Sequence, residues 1–353
     1  MVTNFNGGED VIRCLESLCC DQTPLREIIV VDNASTDNST ALIAKRFPNV
    51  RILQLDQNFG PCVARNAGLD ALSTDLALFM DDDVYLAQGA LGLMLKGYAE
   101  SEAQIVCPRI LLYPDTDIIH CDGAAPYFLG TLSLRHGFTP RGEHDSSVVV
   151  SMAVDVHGFL SACLLADRDI VLQAGGFDEA YFFYFEDLEF SLRLRSLGHA
   201  VICVEDAVAY HDRGLGTPGL AFRGVSIYPE KRFYLSARNR LMTIFIYYRL
   251  KTIILLSPTL LIYELLVIAF ALRQGFAGLW FRSWRWQAEN YSLLKTRRAR
   301  VQNSRKLADA DLLSGGPVPI APGVIRSRPM NCAVSTLSAF LAIYWRLVRP
   351  FLR

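Results

Sequence analysis

Two acidic clusters in this chain could do chemistry. The first is Asp81-Asp82-Asp83, reached directly from the apolar run Leu76-Ala77-Leu78-Phe79-Met80. A short apolar run of that kind reads as a buried strand. An isolated carboxylate in an apolar core is very costly, so three in a row belong at the mouth of a sheet, in water or on a cation. Carboxylate oxygens are hard donors that suit Mg²⁺ or Mn²⁺. Mg²⁺ in particular is usually shared between one or two carboxylates and substrate phosphates. The second cluster is Glu186-Asp187, directly preceded by the aromatics Tyr181-Phe182-Phe183-Tyr184-Phe185. Apolar surroundings raise a carboxylate's pKa toward the range of a general base. Each cluster has a plainer reading. The triplet could be a solvated acidic turn, and the pair an acidic helix start favoured by the helix dipole.

The elements that must carry these clusters alternate. Met1 to Gly8 reads as the end of a strand running into a Gly turn, without the strand's apolar part. Val11, Leu15 and Leu18 recur at helical spacing and predict a helix over Glu9 to Cys20. Ile28 to Val31 is a buried strand ending at Asp32-Asn33, and a helix follows to about Arg46. Arg51 to Leu55 is a strand, Asn58 to Pro61 a turn and Cys62 to Ala71 a helix. After the Leu76 to Met80 strand, Leu86 to Tyr98 is predicted helical and Gln104 to Cys107 a strand. Such alternation implies an α/β fold with a doubly wound, mostly parallel sheet. In these sheets ligands bind at the carboxyl ends of the strands, where Asn4, Asp32, Asn58 and Asp81 all fall. No Gly-x-Gly-x-x-Gly and no Walker A loop is present, so phosphates would be met by a metal and side chains.

Tyr113 to Ser147 reads as a loop or hairpin insertion, and His120, His136, His144 and His157 as surface or packing residues. Gly158 to Leu165 is a strand with small residues at its start. Arg168 to Ala174 is a short helix, and a longer one runs from Leu188 to Gly198. Val201 to Val204 is a strand, and Ala207 to Tyr210 leads into His211.

Composition narrows the function classes. Lys plus Arg number 35 against 36 Asp plus Glu, so no nucleic-acid partner is suggested. The nine cysteines have no metal-site spacing and no Cys-x-x-Cys, which points to free thiols in a reducing compartment. No signal peptide is visible, because polar residues follow Met1 almost at once. The chain is 51% hydrophobic with a mean hydropathy of +0.23, and the apolar excess lies in its C-terminal third.

These pieces, taken in order, resemble the family 2 inverting glycosyltransferases of GT-A fold, in particular rhamnosyltransferase-like members. The matching stretches are Asn4-Phe5-Asn6-Gly7, Val30 to Asp37, Asn58-Phe59-Gly60, Ala64 to Gly68, Asp81-Asp82-Asp83, Gly175 to Glu179, Phe183 to Arg193, and His211. The resemblance implies a GT-A catalytic domain over 1–240, with a nucleotide-sugar half over 1–110 and an acceptor half over 111–240. It implies that Asn4, Asp32 and Asn33 contact the nucleobase and ribose, and that Arg65 sits near the donor's base or phosphates. Asp81 and Asp83 would form the Asp-x-Asp site for Mg²⁺ or Mn²⁺, with Asp83 the direct ligand and His211 completing the shell. Asp187 would be the base, and Glu186 would orient the acceptor. The donor implied is a UDP- or dTDP-sugar, with rhamnose the sugar suggested, and the acceptor a glycan or lipid-linked glycan. The family's first strand carries apolar residues ahead of the Asn-Phe-Asn piece, whereas this chain starts inside that strand, as a late start codon or a truncated product would. Homo-oligomerisation is left open. Two alternatives stand beside this reading: a nucleotidyltransferase on a similar sheet, and a non-catalytic nucleotide-sugar-binding membrane protein.

The region 241–353 reads as helical and membrane-associating. Ile253 to Leu272 is apolar apart from Ser257, Pro258 and Glu264, and is long enough to span a bilayer. Cys332 to Val348 is a second apolar run. The loop between them is rich in Arg and Lys, and two crossings would place it outside, against the positive-inside rule. Helices lying in the inner leaflet on the cytoplasmic face, peripheral or monotopic, are therefore expected, with Trp280, Trp284 and Trp286 at the interface. A helix pair buried on the catalytic domain or in a dimer is the alternative. Gly315 to Pro322 is expected to be a linker.

Overall fold

The computed structural model describes residues 1–145, 153–212, 228–319 and 328–353. Two compact units emerge. The first comprises Met1–Ala124, Leu134–Phe190 and His199–Arg213, and the second Ala125–Ser133, Ser191–Gly198 and Gly214–Arg353.

In chain order the first unit begins with β1 (Val2–Asn4), α1 (Asp10–Cys19), β2 (Ile29–Asp32), α2 (Ser39–Arg46), β3 (Arg51–Gln54), α3 (Pro61–Ala71) and β4 (Leu76–Asp81). Next come β5 (Val84–Leu86), α4 (Ala90–Glu100), β6 (Ile105–Leu112) and β7 (Ile119–Cys121). The hairpin of β8 (Ala124–Tyr127) and β9 (Thr131–Leu134), most of which belongs to the second unit, precedes β10 (Ala153–Asp155), β11 (Cys163–Asp167), α5 (Arg168–Gln173), α6 (Glu186–Ser196), whose last six residues belong to the second unit, and β12 (Val201–His211).

The sheet order is β10-β12-β6-β11-β4-β1-β2-β3, with β5 on β12 and β7 on β6. Strands β1 to β4 are mutually parallel, as the helical crossovers between them require. Beyond β4 the sheet is mixed rather than mostly parallel, because β11 runs antiparallel to both β4 and β6. Parallel strands need a crossover, usually a helix, and the described residues of 113–162 contain strands but no α-helix. The predicted hairpin is therefore real, but its stretch runs to Ser147, and residues 146 and 147 lie outside the described residues. Two boundaries also move. The predicted helix from Leu86 starts at Ala90, after Gly89 turns left-handed at φ +79°, while Val84–Leu86 pairs with β12. The two predicted strands near 201–210 are one strand with a bulge between Val204 and Val208.

Register gathers the chemistry. Asn4 lies beside Asp32, and Thr3 beside Asp81. Val2, Val30, Leu78 and Met80 are buried with residues of α1 and α4, so the sheet is fixed in place up to the point where its polar ends begin.

The second unit holds α7 (Glu230–Tyr247), α8 (Leu250–Gln274), α9 (Ala277–Glu289), α10 (Tyr291–Ser304), α11 (Asp309–Leu312) and α12 (Arg328–Val348). Helix α7 packs on α9 and α10, so the unit boundary falls near 213 rather than at the expected 240. The basic segment is helical, not a loop. Three of its residues cap the carboxyl end of α7: Arg298 donates to the carbonyls of Phe245 and Tyr248, Gln302 to those of Ile246 and Tyr247, and Arg305 to Tyr247. These carbonyls lack partners within their helix. Pro258 sits inside α8 without breaking it. Proline cannot bond the carbonyl four residues back, and the Ser257 hydroxyl meets that Ile254 carbonyl at 2.8 Å instead. Of the expected linker, residues 320–322 lie outside the described residues.

Helices α8 and the Asn331–Leu352 stretch are both long and apolar enough to cross a membrane, and only 11% of each apolar window is buried. Leu250, Ile254, Leu261, Leu265 and Leu266 on one, and Phe340, Ile343 and Leu347 on the other, face outward. The alternative of a helix pair buried within this chain does not hold. The one acid of the α8 run, Glu264, accepts hydrogen bonds from Trp280 at 2.6 Å, Trp284 at 3.1 Å and Arg240 at 3.0 Å. Two of the three Trp expected at a membrane interface thus bond Glu264. Full-length protein is expected to sediment with membranes at low salt in the absence of detergent. Recovery in the supernatant would show that these faces do not meet lipid.

Candidate active site

The acid triplet begins at the last residue of β4 and divides at once. Asp81 Oδ1 accepts from Thr3 Oγ1 at 2.9 Å and from Arg65 Nη2 at 2.7 Å. Asp82 accepts the Phe5 N–H at 2.8 Å, and burial together with Asp83 pushes its carboxyl well above the usual range. A side chain at Gly7 would put its Cβ 2.5 Å from Asn4 Oδ1 and 2.8 Å from Asp82 Oδ2, so this close approach requires glycine. Asp83 turns the other way. Its Oδ2 lies 3.3 Å from Nε2 of His211, the last residue of β12.

Asp83 and His211 offer the hard oxygen and the imidazole nitrogen that a divalent ion such as Mn²⁺ takes. A 3.3 Å separation suits neighbouring ligands each about 2.1 Å from one ion. This pair fits a metal. Asp81 does not close on it, because its carboxylate is engaged by Arg65 and Thr3. Among the described residues, the grouping of three ligand atoms within 4.8 Å is a different one: Asp122, His136 and Glu205. Arg135 reaches Glu205 at 2.5 Å and Arg109 reaches it at 3.2 Å, so that cluster is an ion-pair network already supplied with cations.

The residues assigned to the nucleotide are largely committed to one another. Asn4 Nδ2 donates to Asp32 Oδ1 at 2.6 Å, and to Ser39 and Ser35 at 3.0 and 3.1 Å. The other Asp32 oxygen accepts the Ser35 N–H at 3.1 Å. Asn33 bonds Asn58 and the Phe59 N–H, both at 3.0 Å. All three are buried, and they shape the loops after β1, β2 and β3. Arg65 is likewise buried on α3, under Asp81 and 5.2 Å from the Phe177 ring. It neutralises carboxylates from below instead of reaching outward.

Glu186 and Asp187 open α6. Asp187 Oδ1 accepts both the backbone N–H of Ser161, at 2.9 Å, and the Ser161 hydroxyl. Burial raises its pKa, while Arg65 and the Ser161 donors pull against that rise. Glu186 is more strongly perturbed. Burial, then the charge of Asp187, pushes it to about 8, and its Oε2 has no hydrogen-bond partner among the described residues. The pair meets the triplet through β11: Asp81 N–H bonds the Ala162 carbonyl at 3.0 Å, one residue from Ser161. Phe182, Tyr184 and Phe185, just before α6, all have φ between +60° and +68°.

Sequence reasoning missed Thr3, Ser161 and His120. Ser161 stands among the small residues that mark the start of the predicted strand, which was a usable signal. His120 gave none. It is buried on β7 with Nδ1 3.1 Å from His211 Nδ1.

The Glu186 shift has a thermodynamic consequence. A carboxyl whose folded pKa lies above its ordinary 4.5 favours the fold while protonated, and that stability is lost as pH rises from about 4.5 through about 8. A glutamine in its place cannot ionise. The melting temperature of Glu186→Gln minus that of the parent is therefore expected to grow between pH 5 and pH 9. A constant difference would show that Glu186 titrates normally.

Residues 1–118 match the sequence profile of Glycosyl transferase family 2. The N-acetylglucosaminyl-diphospho-decaprenol L-rhamnosyltransferase of Mycobacterium tuberculosis is 25% identical over 234 residues, covering 62% of this chain and 76% of that protein. The succinoglycan biosynthesis protein ExoO of Rhizobium meliloti is 31% identical over 124 residues, 35% of this chain and 34% of ExoO. In fold, the chain is similar to S. aureus TarS 1-349 in complex with UDP-GlcNAc, with a TM-score of 0.52, 17% identity, and coverage of 86% of this chain and 88% of that one. It is also similar to GalNAc-T7 with UDP, GalNAc and Mn²⁺, with a TM-score of 0.55, 13% identity, and coverage of 70% of this chain but about half, 47%, of GalNAc-T7. The sheet is that of the GT-A glycosyltransferases. About a third of the chain, residues 1–118, thus matches glycosyl transferase family 2, and the similarity to glycosyltransferases extends beyond that segment.

Proposed function

We propose that this enzyme moves a sugar from a UDP- or dTDP-linked donor to a lipid-linked glycan or growing polysaccharide, with inversion, on the cytoplasmic face of the membrane. The observation that carries the reading is the meeting of two acidic sites at one end of the sheet. Asp83 lies just beyond β4 beside His211, the last residue of β12, and Asp187 is held by Ser161 just before β11. L-rhamnose is the sugar to test first, given the similarity to a rhamnosyltransferase.

In this reading Asp83 and His211 hold Mg²⁺ or Mn²⁺. When bound, the ion supplies Lewis-acid stabilisation of the departing diphosphate. Asp187 takes the proton from the acceptor hydroxyl as that oxygen attacks the anomeric carbon from the face opposite the leaving group. Ser161 fixes one oxygen of Asp187, which directs the other toward the proton. Glu186, protonated at neutral pH, orients the acceptor by donating a hydrogen bond. Arg65 keeps Asp81 and the Glu186-Asp187 pair compatible by lowering the repulsion among them. A single base suffices, and no covalent sugar–enzyme intermediate is needed.

Incubation with a panel of nucleotide-sugars and Mn²⁺, followed by donor turnover, tests the reading. Asp187→Asn keeps size and hydrogen bonding but cannot accept the proton. Turnover is expected to fall about 10²–10⁴-fold, with donor affinity nearly unchanged. Near-normal turnover would transfer the role to Glu186. Asp83→Asn is expected to abolish Mn²⁺-dependent binding of the nucleotide diphosphate in calorimetry, and an unaltered affinity would remove the metal assignment.

A further inference from the structure

By residue type and spacing His120 is a packing residue, and its place in the sheet says more. It lies on β7, which pairs with β6 at Ile110 and Leu111, while β12 runs along the other edge of β6 with His211 opposite Leu112. The two histidines meet across β6. Their ring centroids are 4.9 Å apart in an edge contact, and Phe138 stands 5.7 Å from His120. The Nδ1 atoms are 3.1 Å apart, and His211 Nε2 faces Asp83 at 3.3 Å. His120 is only 5% exposed.

Two Nδ1 atoms at this distance must share one proton, since two lone pairs would repel. Which ring nitrogen of a histidine carries the proton is set by the partner of the other nitrogen. A neutral His211 that ligates a cation through Nε2 must carry its proton on Nδ1. That proton then needs an acceptor, and the nitrogen facing it across the 3.1 Å contact is His120 Nδ1. His120 in turn keeps its own proton on Nε2.

We propose that His120 is a positioning residue for the metal site: its Nδ1 accepts the Nδ1–H of His211 and so presents the His211 Nε2 lone pair beside Asp83. The proposal rests on the metal role of Asp83 and His211 argued above. Partners that orient a metal-bound histidine typically change metal affinity 10–100-fold when removed.

Mn²⁺ titrated into the full-length enzyme, with and without UDP and at one fixed pH, is the measurement, with free Mn²⁺ read by electron paramagnetic resonance. His120→Phe keeps a ring but removes the acceptor, and is expected to weaken Mn²⁺ binding about 10–100-fold. His120→Asn places an amide oxygen near the Nδ1 position, and is expected to stay within a few-fold of the parent. Long-range ¹⁵N NMR of the parent enzyme with Mg²⁺ reads the tautomer without any substitution, and is expected to show the His211 proton on Nδ1. Equal Mn²⁺ affinity in His120→Phe, or a His211 proton on Nε2 with Mg²⁺ bound, overturns the proposal. Asp83→Asn and His211→Ala separate the two levels. If both weaken Mn²⁺ binding while His120→Phe does not, only the positioning role falls. If neither does, the metal site itself falls and the proposal with it.

Discussion

One buried guanidinium, that of Arg65, holds the site together. It is 3% exposed, bonds Asp81 at 2.7 Å, and acts electrostatically on Glu186 and Asp187. An unpaired buried charge is strongly destabilising, so the cation and these carboxylates need one another. Three segments distant in sequence, α3, the end of β4 and the start of α6, are thereby tied to a common centre. The same ion explains how acids can crowd this end of the sheet. Burial raises the pKa of both carboxyls of the pair, and Arg65 pulls both back down. Glu186, whose Oε2 has no partner among the described residues, takes the larger upward shift.

The antiparallel β11 does the complementary work. Its register with β4, Cys163 opposite Met80, brings Ser161 level with the acid triplet. The half that carries Asn4, Asp32 and Asp81 is built by parallel strands, whose ends supply polar loops. The half that carries Ser161 is reached by reversing one strand in the middle of the sheet. A wholly parallel sheet of the same strands would have placed the start of β11, with Ser161, at the opposite edge.

Much of this was legible in residue order. The apolar run before Asp81 and the alternation of strand and helix through residue 107 gave the parallel half directly, because each strand there is short, apolar and followed by a helix. The acids at strand ends were visible for the same reason. What periodicity could not convey was direction. Nothing in Cys163 to Asp167 distinguishes an antiparallel from a parallel neighbour, and the reversal follows from the strand-rich stretch before it. Nor could types and spacing say where a side chain is engaged. Asn4, Asp32 and Asn33 lie where nucleotide contacts were expected, yet they bond one another and adjacent loops. Arg65 was expected near the donor's base or phosphates, and the structure shows it buried and bonded to Asp81. In the C-terminal third, the basic run was read as a loop between two apolar segments, whereas it is helical and two of its charges, Arg298 and Arg305, close the end of α7.

The three left-handed aromatics before α6 carry a further consequence. Phe182, Tyr184 and Phe185 hold φ values that glycine adopts freely and that side-chain residues reach at a cost of order 1–3 kcal/mol each. The Phe182 carbonyl would sit 2.5 Å from any Cβ at Gly60, so the two loops are mutually moulded, the glycine of one making room for the twist of the other. This strained stretch lies between Gly60 on one side and the first turn of α6 on the other. A side chain placed at Gly60 would have to displace the Phe182 carbonyl, and the few residues between Phe182 and Asp187 would carry that displacement to the first turn of α6.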